Sequence, residues 1–270
     1  MTRGNVFQFR AGKSVFHRLD PMSKLIWLLG VSLLAFGAYI AWIQIVISFV
    51  ILATALFLAR LSPAEILKGT WPFIAACSSF FVIQSVTLPG STIAFRVFSI
   101  SIYAESADYA LASSLRIYTI ILSSMVFVRT TDPRDLAIAL VTQAHIPYRI
   151  AYAFFIALRI VPTIEEEIKI IRAAHAVRGV ARQRSITGRI GEMQRYVIPL
   201  LVGSLRRASM MVMSMEGRAF GAYPQRVFVD APRMRASGLV ISISTIVAVV
   251  AWYSALGLGY VHPIYVFAPA

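Results

Sequence analysis

Cysteine and acidic residues are both scarce in this chain of 270 residues. Its single cysteine, Cys77, lies in an apolar run, which excludes a disulfide framework and a cysteine-based metal cluster. The 12 Asp and Glu residues cluster at predicted helix starts, and His175 has no second His, Cys or carboxylate at ligand spacing. The sequence therefore predicts no catalytic residue, no metal site and no bound cofactor.

Charge is scarce altogether, at 14% of residues, whereas 58% are hydrophobic. Several uncharged runs reach the roughly 20 residues that an α-helix needs to cross a bilayer. The composition therefore predicts an integral membrane protein embedded in the lipid bilayer. The formal net charge of +14 is better explained by basic cytosolic loops and anionic headgroups than by nucleic acid, and no nucleic-acid partner is predicted.

The N-terminal half is predicted to contain four membrane helices, of which the first three are the most continuous. Asp20 is a helix N-cap with Pro21 in the first helical position. The uncharged run 25–59 is too long for one span, so we place a tight turn at 37–42 and predict a hairpin of two short or tilted arms. After a short helix capped by Ser62, a third span is predicted for about 71–88.

The remaining spans are less continuous. Residues 91–108 are predicted to form either a hairpin or an interfacial segment. A fourth span is predicted for about 109–128, and it contains Arg116, either as a snorkelling or interhelical residue or as a functional one. The last span covers about 239–255.

The fold class predicted is an all-α integral membrane protein with about five transmembrane helices and an arginine-rich cytosolic or interfacial coupling-helix domain. The corresponding division is 1–128 for the leader and four spans, 129–235 for the coupling-helix domain, and 236–270 for the last span and tail. The distribution of Lys and Arg places the leader, the loop around 60–68 and the middle domain in the cytosol.

Two amphipathic helices dominate the middle domain. Residues 150–161 are too short to span and are predicted as a buried or interfacial helix, bent at Pro162 into a helix that begins near Ile164. Glu165, Glu166 and Glu167 would then lie in the first turns and complement the helix dipole. A second helix is predicted for 192–218, kinked at Pro199. Its apolar face comprises Met193, Val197, Leu200, Leu201, Leu205, Ala208, Met211, Val212 and Met215.

Each of these helices ends at an arginine among small residues. A guanidinium can bond several carbonyls or a carboxylate at once, so both ends are candidate docking points for a cytosolic partner, although each arginine is also compatible with headgroup anchoring. The methionines near the second end fit either plain core packing or an adaptable binding surface. The docking residues predicted are Val177, Arg178, Gly179, Gly217, Arg218 and Ala219, and the adaptable surface comprises Met210, Met211, Met213 and Met215.

Four segments together resemble the transmembrane coupling (T) component of energy-coupling-factor (ECF) transporters, a family of ABC-type importers. Residues 20–25 (Asp-Pro-Met-Ser-Lys-Leu) and 130–136 resemble the entries to its first span and to a short helix. Residues 158–179 and 215–220 resemble its two coupling-helix signatures, which in the family are Ala-Arg-Gly-like around a central arginine.

The resemblance implies a mechanism that composition alone does not. Two cytosolic ABC ATPase subunits bind ATP, and each receives one coupling-helix end, through Arg178 or Arg218. The helices lie across a small membrane-embedded substrate-binding (S) subunit, which delivers a vitamin such as biotin or a transition-metal ion. This chain would be a non-catalytic subunit in the bacterial cytoplasmic (inner) membrane, and the methionine surface would contact the S subunit.

Two other classes of function remain open from the residues alone. A self-sufficient channel or secondary transporter usually carries charged or broken helices at mid-membrane, whereas Arg116 is the one charge clearly inside a predicted span. A membrane enzyme acting on lipid phosphates would need a converging base, nucleophile or metal set. Co-purification of ATPase subunits would distinguish the coupling component from both.

Overall fold

The computed structural model describes residues 12, 14, 16–90, 92–97, 100–144, 146–177, 186–222 and 236–258. These residues form two compact units. One contains the membrane helices of the N-terminal half together with the last helix, and the other contains the two long helices of the middle domain. The division at 128/129 and 235/236 stays a prediction.

The first helical hairpin has the predicted turn. Helix α1 spans Pro21–Gly37, and α2 begins at Ala41 and ends at Ala53, followed by a π-helical turn over Thr54–Leu58. Asp20 caps α1 as predicted, because its Oδ2 accepts hydrogen bonds from the backbone N–H of Ser23 at 3.1 Å and from the Ser23 hydroxyl at 2.7 Å. The cap satisfies N–H groups that have no intrahelical partner.

Helix α3 corrects one sequence-based expectation. It runs without interruption over Pro63–Thr87, so the short helix and the third span predicted separately are one element that passes through Pro72. Its start is a capping box, in which the Ser62 hydroxyl accepts from the Glu65 N–H while the Glu65 carboxylate accepts from the Ser62 N–H.

The segment before the fourth span contains an antiparallel hairpin, one of the two alternatives predicted. Strands β1 (Ile93–Val97) and β2 (Ile100–Tyr103) pair with each other, and helix α4 (Ala104–Thr130) follows directly. The two short strands are a small addition to a helical protein, and the predicted all-α membrane fold is confirmed.

Helix α4 is the centre of the first unit, since it packs against α1, α2 and α3. Leu122 and Val126 on α4 are fully buried in a cluster with Trp27 and Val31 of α1 and Ile51 of α2. A polar patch joins α2 to α4 as well. The Thr119 hydroxyl donates to the carbonyl of Leu115 and lies 2.7 Å from the Ser48 hydroxyl, and it accepts from the Gln44 amide at 3.3 Å.

Arg116 has an interhelical role in this unit. Its Nη2 donates to the Ala38 carbonyl at 2.9 Å, and its guanidinium lies over the rings of Phe36 and Tyr39. Asp108, two turns earlier on α4, accepts from the Ala41 N–H at 3.5 Å. A cation therefore faces the C-terminal end of α1 and an anion the N-terminal end of α2, which is the favourable sign at each helix end.

A short helix, α5 (Pro133–Thr142), follows α4 and begins as predicted with Asp135 in its first turn. The buried Lys24 ammonium donates to the Thr130 carbonyl at the end of α4, at 2.7 Å. Burial and the neighbouring Asp132 raise the pKa of the Asp135 carboxyl. The Asp-Pro-x-x-Lys motif at residues 20–24 thus caps the start of α1 with its aspartate and the end of α4 with its lysine.

Helix α8 (Ala236–Gly257) packs along α1 in the same unit. Gly238 is buried beside the cap of α1, and a β-carbon there would overlap Asp20 Oδ1 and lie 2.7 Å from the Ser23 hydroxyl. The close approach of the two helices therefore requires glycine at this position.

The second unit contains two long helices, α6 (Tyr148–Val177) and α7 (Ile186–Glu216). The segment 150–161 and the helix predicted from Ile164 are one element that continues through Pro162. The described side chains of α6 and α7 are half-buried or exposed within this chain, so the two alternatives for 150–161, a buried or an interfacial helix, both stay predictions.

Five described helices are long and apolar enough to cross a membrane, which is the predicted number. The five helices are not the same five that the sequence predicted. Residues 197–216 of α7 qualify by length and composition, whereas α1, with 17 residues, is counted among the shorter apolar helices. At 1.5 Å per residue α1 is about 26 Å long, at the lower limit for spanning.

We expect Gly238→Ala to lower the free energy of unfolding by about 1–3 kcal/mol, because the added methyl group overpacks the α1–α8 contact at Asp20. Gly257→Ala is the matched control, since nothing lies within 4 Å of a β-carbon there. Thermal unfolding of the purified proteins in detergent measures both. Equal midpoints for the two variants would contradict the packing described.

Candidate functional site

Helices α6 and α7 run antiparallel. Near one end of the pair, Phe220, just after α7, packs on Tyr148 and Tyr152 of the first turns of α6, with ring centroids 5.7 and 4.8 Å apart. Farther along, Arg207 of α7 forms an ion pair with Glu167 of α6. From the Phe220 contact to the ion pair, the residue number rises along α6 and falls along α7. The C-terminal ends of the two helices therefore lie at opposite ends of the pair.

Each helix has one half-buried stripe. On α7 the half-buried residues recur at helical spacing and are Leu200, Gly203, Ser204, Arg207, Met211 and Met215. The more apolar positions point outward: Leu201 and Leu205 are 63% and 71% exposed. The apolar face predicted for this helix is therefore only partly used within the chain, and much of it has no described partner here.

The end of α7 is a Schellman motif. The N–H of Phe220 donates to the Met215 carbonyl at 2.9 Å, and the N–H of Ala219 donates to the Glu216 carbonyl at 2.9 Å. Ala219 has φ 53°, in the left-handed region that this motif requires of the residue after the cap. Arg218 is therefore the cap residue itself, and its side chain is exposed at a well-defined helix stop.

Phe220 fixes this stop to the other helix. In a Schellman motif the residue after the left-handed one usually makes an apolar contact, and here Phe220 makes it with the α6 tyrosines. Phe220 has no predicted role from the sequence, although its place two residues after the arginine is the signal for one. Gly217 continues the helical bonding, since its N–H donates to the Met213 carbonyl at 3.0 Å.

The other predicted docking end is described only as far as Val177, the last residue of α6, which is 89% exposed. Arg178 and Gly179 lie outside the described residues. The proposed role of this end in docking therefore stays a prediction.

The four methionines of the predicted adaptable surface divide into two pairs. Met210 and Met213 are 57% and 67% exposed, whereas Met211 and Met215 belong to the half-buried stripe of α7. Met210 and Met213 are thus available to another molecule in this structure. Met211 and Met215 contribute mainly to the inner face of α7.

The three glutamates do not lie where the sequence analysis placed them. Because α6 begins at Tyr148, Glu165, Glu166 and Glu167 are near the middle of the helix, and the expectation that they complement the helix dipole in the first turns is wrong. Glu165 and Glu166 are exposed, and Glu167 is half-buried in the ion pair with Arg207.

Comparison with known proteins identifies the class to which this arrangement belongs. Residues 12–228 match the model of the CbiQ family, described as "Cobalt transport protein". The match includes the whole of the α6–α7 pair and the Arg218 stop.

Curated relatives agree with the family match. The chain is 32% identical over 222 residues to the energy-coupling factor transporter transmembrane protein EcfT of Brevibacillus brevis, covering 79% of this chain and 83% of the relative. It is 26% identical over 217 residues to EcfT of Lactococcus lactis, covering 77% and 81%. A putative ABC transporter ATP-binding protein of Bifidobacterium longum is 25% identical over 246 residues, covering 88% of this chain but 31% of that protein.

The fold and these comparisons define a multi-pass bacterial membrane protein of the transporter class. The chain belongs to the CbiQ family and is the transmembrane (T) component of an ECF-type ABC transporter.

We expect Ala219→Gly to raise the free energy of unfolding by about 0.5–1 kcal/mol, because glycine adopts positive φ without the steric cost that an L-residue bears. The greater entropy of glycine in the unfolded chain offsets part of this gain. Ala173→Gly, in an exposed position inside α6, should lower it by about 1 kcal/mol. Thermal unfolding measures both, and a loss of stability in Ala219→Gly would show that the left-handed conformation is not the native one.

Proposed function

We propose that this chain transmits the motion of two cytosolic ABC ATPase subunits to a small substrate-binding membrane subunit, so that a vitamin or a transition-metal ion is taken up. The ends of α6 and α7 are the contacts with the ATPases, through Arg178 and Arg218. The observation that carries the proposal is the end of α7, where an exposed arginine occupies the cap of a helix stop that is anchored to α6 by Phe220.

The antiparallel arrangement supports one docking end for each ATPase subunit. Val177 lies 10 residues beyond Glu167 and Glu216 lies 9 residues beyond Arg207, in opposite directions from the ion pair. At 1.5 Å per residue, each helix end lies about 15 Å along its own helix from the ion pair, and the two ends extend away from the pair in opposite directions. A single ATPase groove would not receive both ends, whereas two subunits side by side would receive one each.

The docking contact itself follows from the chemistry of a helix end. An arginine at a helix C-terminus is favourable to the helix dipole, and its guanidinium presents five N–H donors in a rigid fork. Backbone carbonyls or a carboxylate in a groove of the partner would accept them. The Schellman stop keeps the arginine in a fixed position relative to α6, so a displacement of the arginine is passed to the helix pair.

The outer face of α7 supports contact with a second membrane protein. It comprises exposed apolar side chains at helical spacing, namely Val197, Ile198, Leu201, Val202, Leu205, Met210, Val212 and Met213. Methionine and unpaired aliphatic residues suit a surface that repacks against a partner. We assign this face to the substrate-binding subunit.

The ABC ATPase partnership is supported by the Bifidobacterium longum relative. A sequence similar to almost all of this chain occupies less than a third of a protein named as an ABC transporter ATP-binding protein. The family description, cobalt transport, supports a transition-metal ion among the candidate substrates, and biotin is the vitamin that we would test beside it.

We expect Arg178→Glu and Arg218→Glu each to abolish ATP-driven uptake, because inverting the charge replaces hydrogen-bond donors by an acceptor at the docking contact. Uptake of cobalt(II) and of biotin would be assayed separately in cells that express the complete transporter, and ATPase subunits would be quantified after affinity purification of this chain. Arg206→Glu, an exposed arginine on α7 away from the helix end, is the matched control.

A double variant, Arg178→Glu with Arg218→Glu, that retained the wild-type uptake rate and the wild-type amount of ATPase would contradict the docking role. Wild-type protein that transported without any ATPase would instead favour a self-sufficient transporter.

A further inference from the structure

Helices α6 and α7 are 30 and 31 residues long, yet the stripe along which they meet contains a charged residue from each helix. Glu167 and Arg207 are an ion pair whose side chains are 26% and 28% exposed. A long charged side chain in the contact stripe of two amphipathic helices costs desolvation and side-chain entropy, so a mere packing role would be served better by leucine. The pair therefore needs another explanation.

Gly203 is part of the same feature. It lies one turn before Arg207 on the same face of α7, and a β-carbon there would be 2.8 Å from Glu167 Oε1. Glycine inside a helix costs about 1 kcal/mol relative to alanine. The absent side chain allows the Glu167 carboxylate to lie against α7 within reach of the Arg207 guanidinium.

The neighbouring charges do not share this arrangement. Glu165 and Glu166 on α6 and Arg206 on α7 are all exposed. The run of three glutamates and the Arg206-Arg207 dipeptide thus each contribute one residue to the contact stripe, as the 100° rotation per residue of an α-helix dictates. The position of a residue on its helix, and not its charge alone, therefore determines whether it lies in the contact stripe.

We propose that Glu167, Arg207 and Gly203 form a fixed joint that makes α6 and α7 move as one body, and that Glu167 and Arg207 are positioning residues for the two docking ends. With the Phe220 contact on Tyr148 and Tyr152, the joint holds the helix pair at two points. A displacement at either end is then shared by both helices. The inference rests on the proposed function for its consequence in transport, but the rigid joint itself is a property of this chain.

The first experiment measures the rigidity of the pair by the distance between two spin labels. Ala173→Cys and Ser214→Cys are exposed positions on either side of the joint, and Cys77→Ser removes the one native cysteine. The labelled full-length chain, in the complete complex in lipid nanodiscs, should give one narrow distance distribution by pulsed electron paramagnetic resonance. Glu167→Arg should broaden the distribution, and Glu167→Arg combined with Arg207→Glu should restore its width.

The matched controls are Glu166→Arg and Arg206→Glu, which make the same charge changes on the same helices outside the joint, and both should leave the distribution narrow. A distribution as narrow in Glu167→Arg as in the wild type would overturn the joint. Failure of the charge-swapped double variant to narrow the distribution would overturn it as well, because the ion pair would not be the cause of the rigidity.

The second experiment tests the consequence for transport in the same variants. We expect Glu167→Arg to reduce uptake of cobalt(II) or biotin by about tenfold, the size of effect typical of residues that carry coupling. The ATPase subunits should still co-purify, and the charge swap should restore uptake. Loss of the ATPases from the wild-type complex would count against the proposed function, whereas wild-type uptake in Glu167→Arg, with ATPases bound, would count against the joint alone.

Discussion

The backbone hydrogen bond from Phe220 to the Met215 carbonyl is the interaction on which the proposed docking end of α7 depends. It ends α7 at Arg218 by turning Ala219 into the left-handed region, and the same turn directs Phe220 onto Tyr148 and Tyr152 of α6. An exposed arginine on a frayed helix end would move independently of the rest of the helix. On this stop it has a defined position relative to the second helix of the pair.

The two units of the chain solve the problem of buried polar groups differently. In the membrane unit, polar side chains are placed where helix ends leave carbonyls or N–H groups without partners: Asp20 at the start of α1, Lys24 at the end of α4, and Arg116 at the end of α1. In the α6–α7 unit no described side chain is fully buried, and two side chains, Glu167 and Arg207, form an ion pair with each other. The first unit therefore has a buried core among its described residues, whereas the described side chains of the second are half-buried or exposed.

The left-handed alanine gives a physical reading of the family signature. The position after the central arginine must adopt positive φ for the helix to end in a Schellman motif, and glycine does so at the lowest cost. Ala219 occupies this position here with φ 53°. The Gly-Arg-Ala form at the end of α7 therefore bears the steric cost of a left-handed L-residue at a position where glycine would adopt the same φ without that cost.

The class of protein, the cap at Asp20, the turn after Gly37 and the start of α5 could all be predicted from the sequence, because each depends on local pattern or on hydrophobic length. The docking role of Arg218 stays a prediction. Local patterns could not reveal that α3 and α6 continue through Pro72 and Pro162, since an interior proline either kinks a helix or ends it, and the local sequence does not decide between the two. Nor could they select Glu167 among three adjacent glutamates, or Arg207 beside Arg206. Composition and periodicity determined that this is a membrane protein, and they predicted two long helices that each end near an arginine. Only the tertiary structure decided which face of each helix meets the other, because that choice depends on contacts between residues 40 positions apart in the chain.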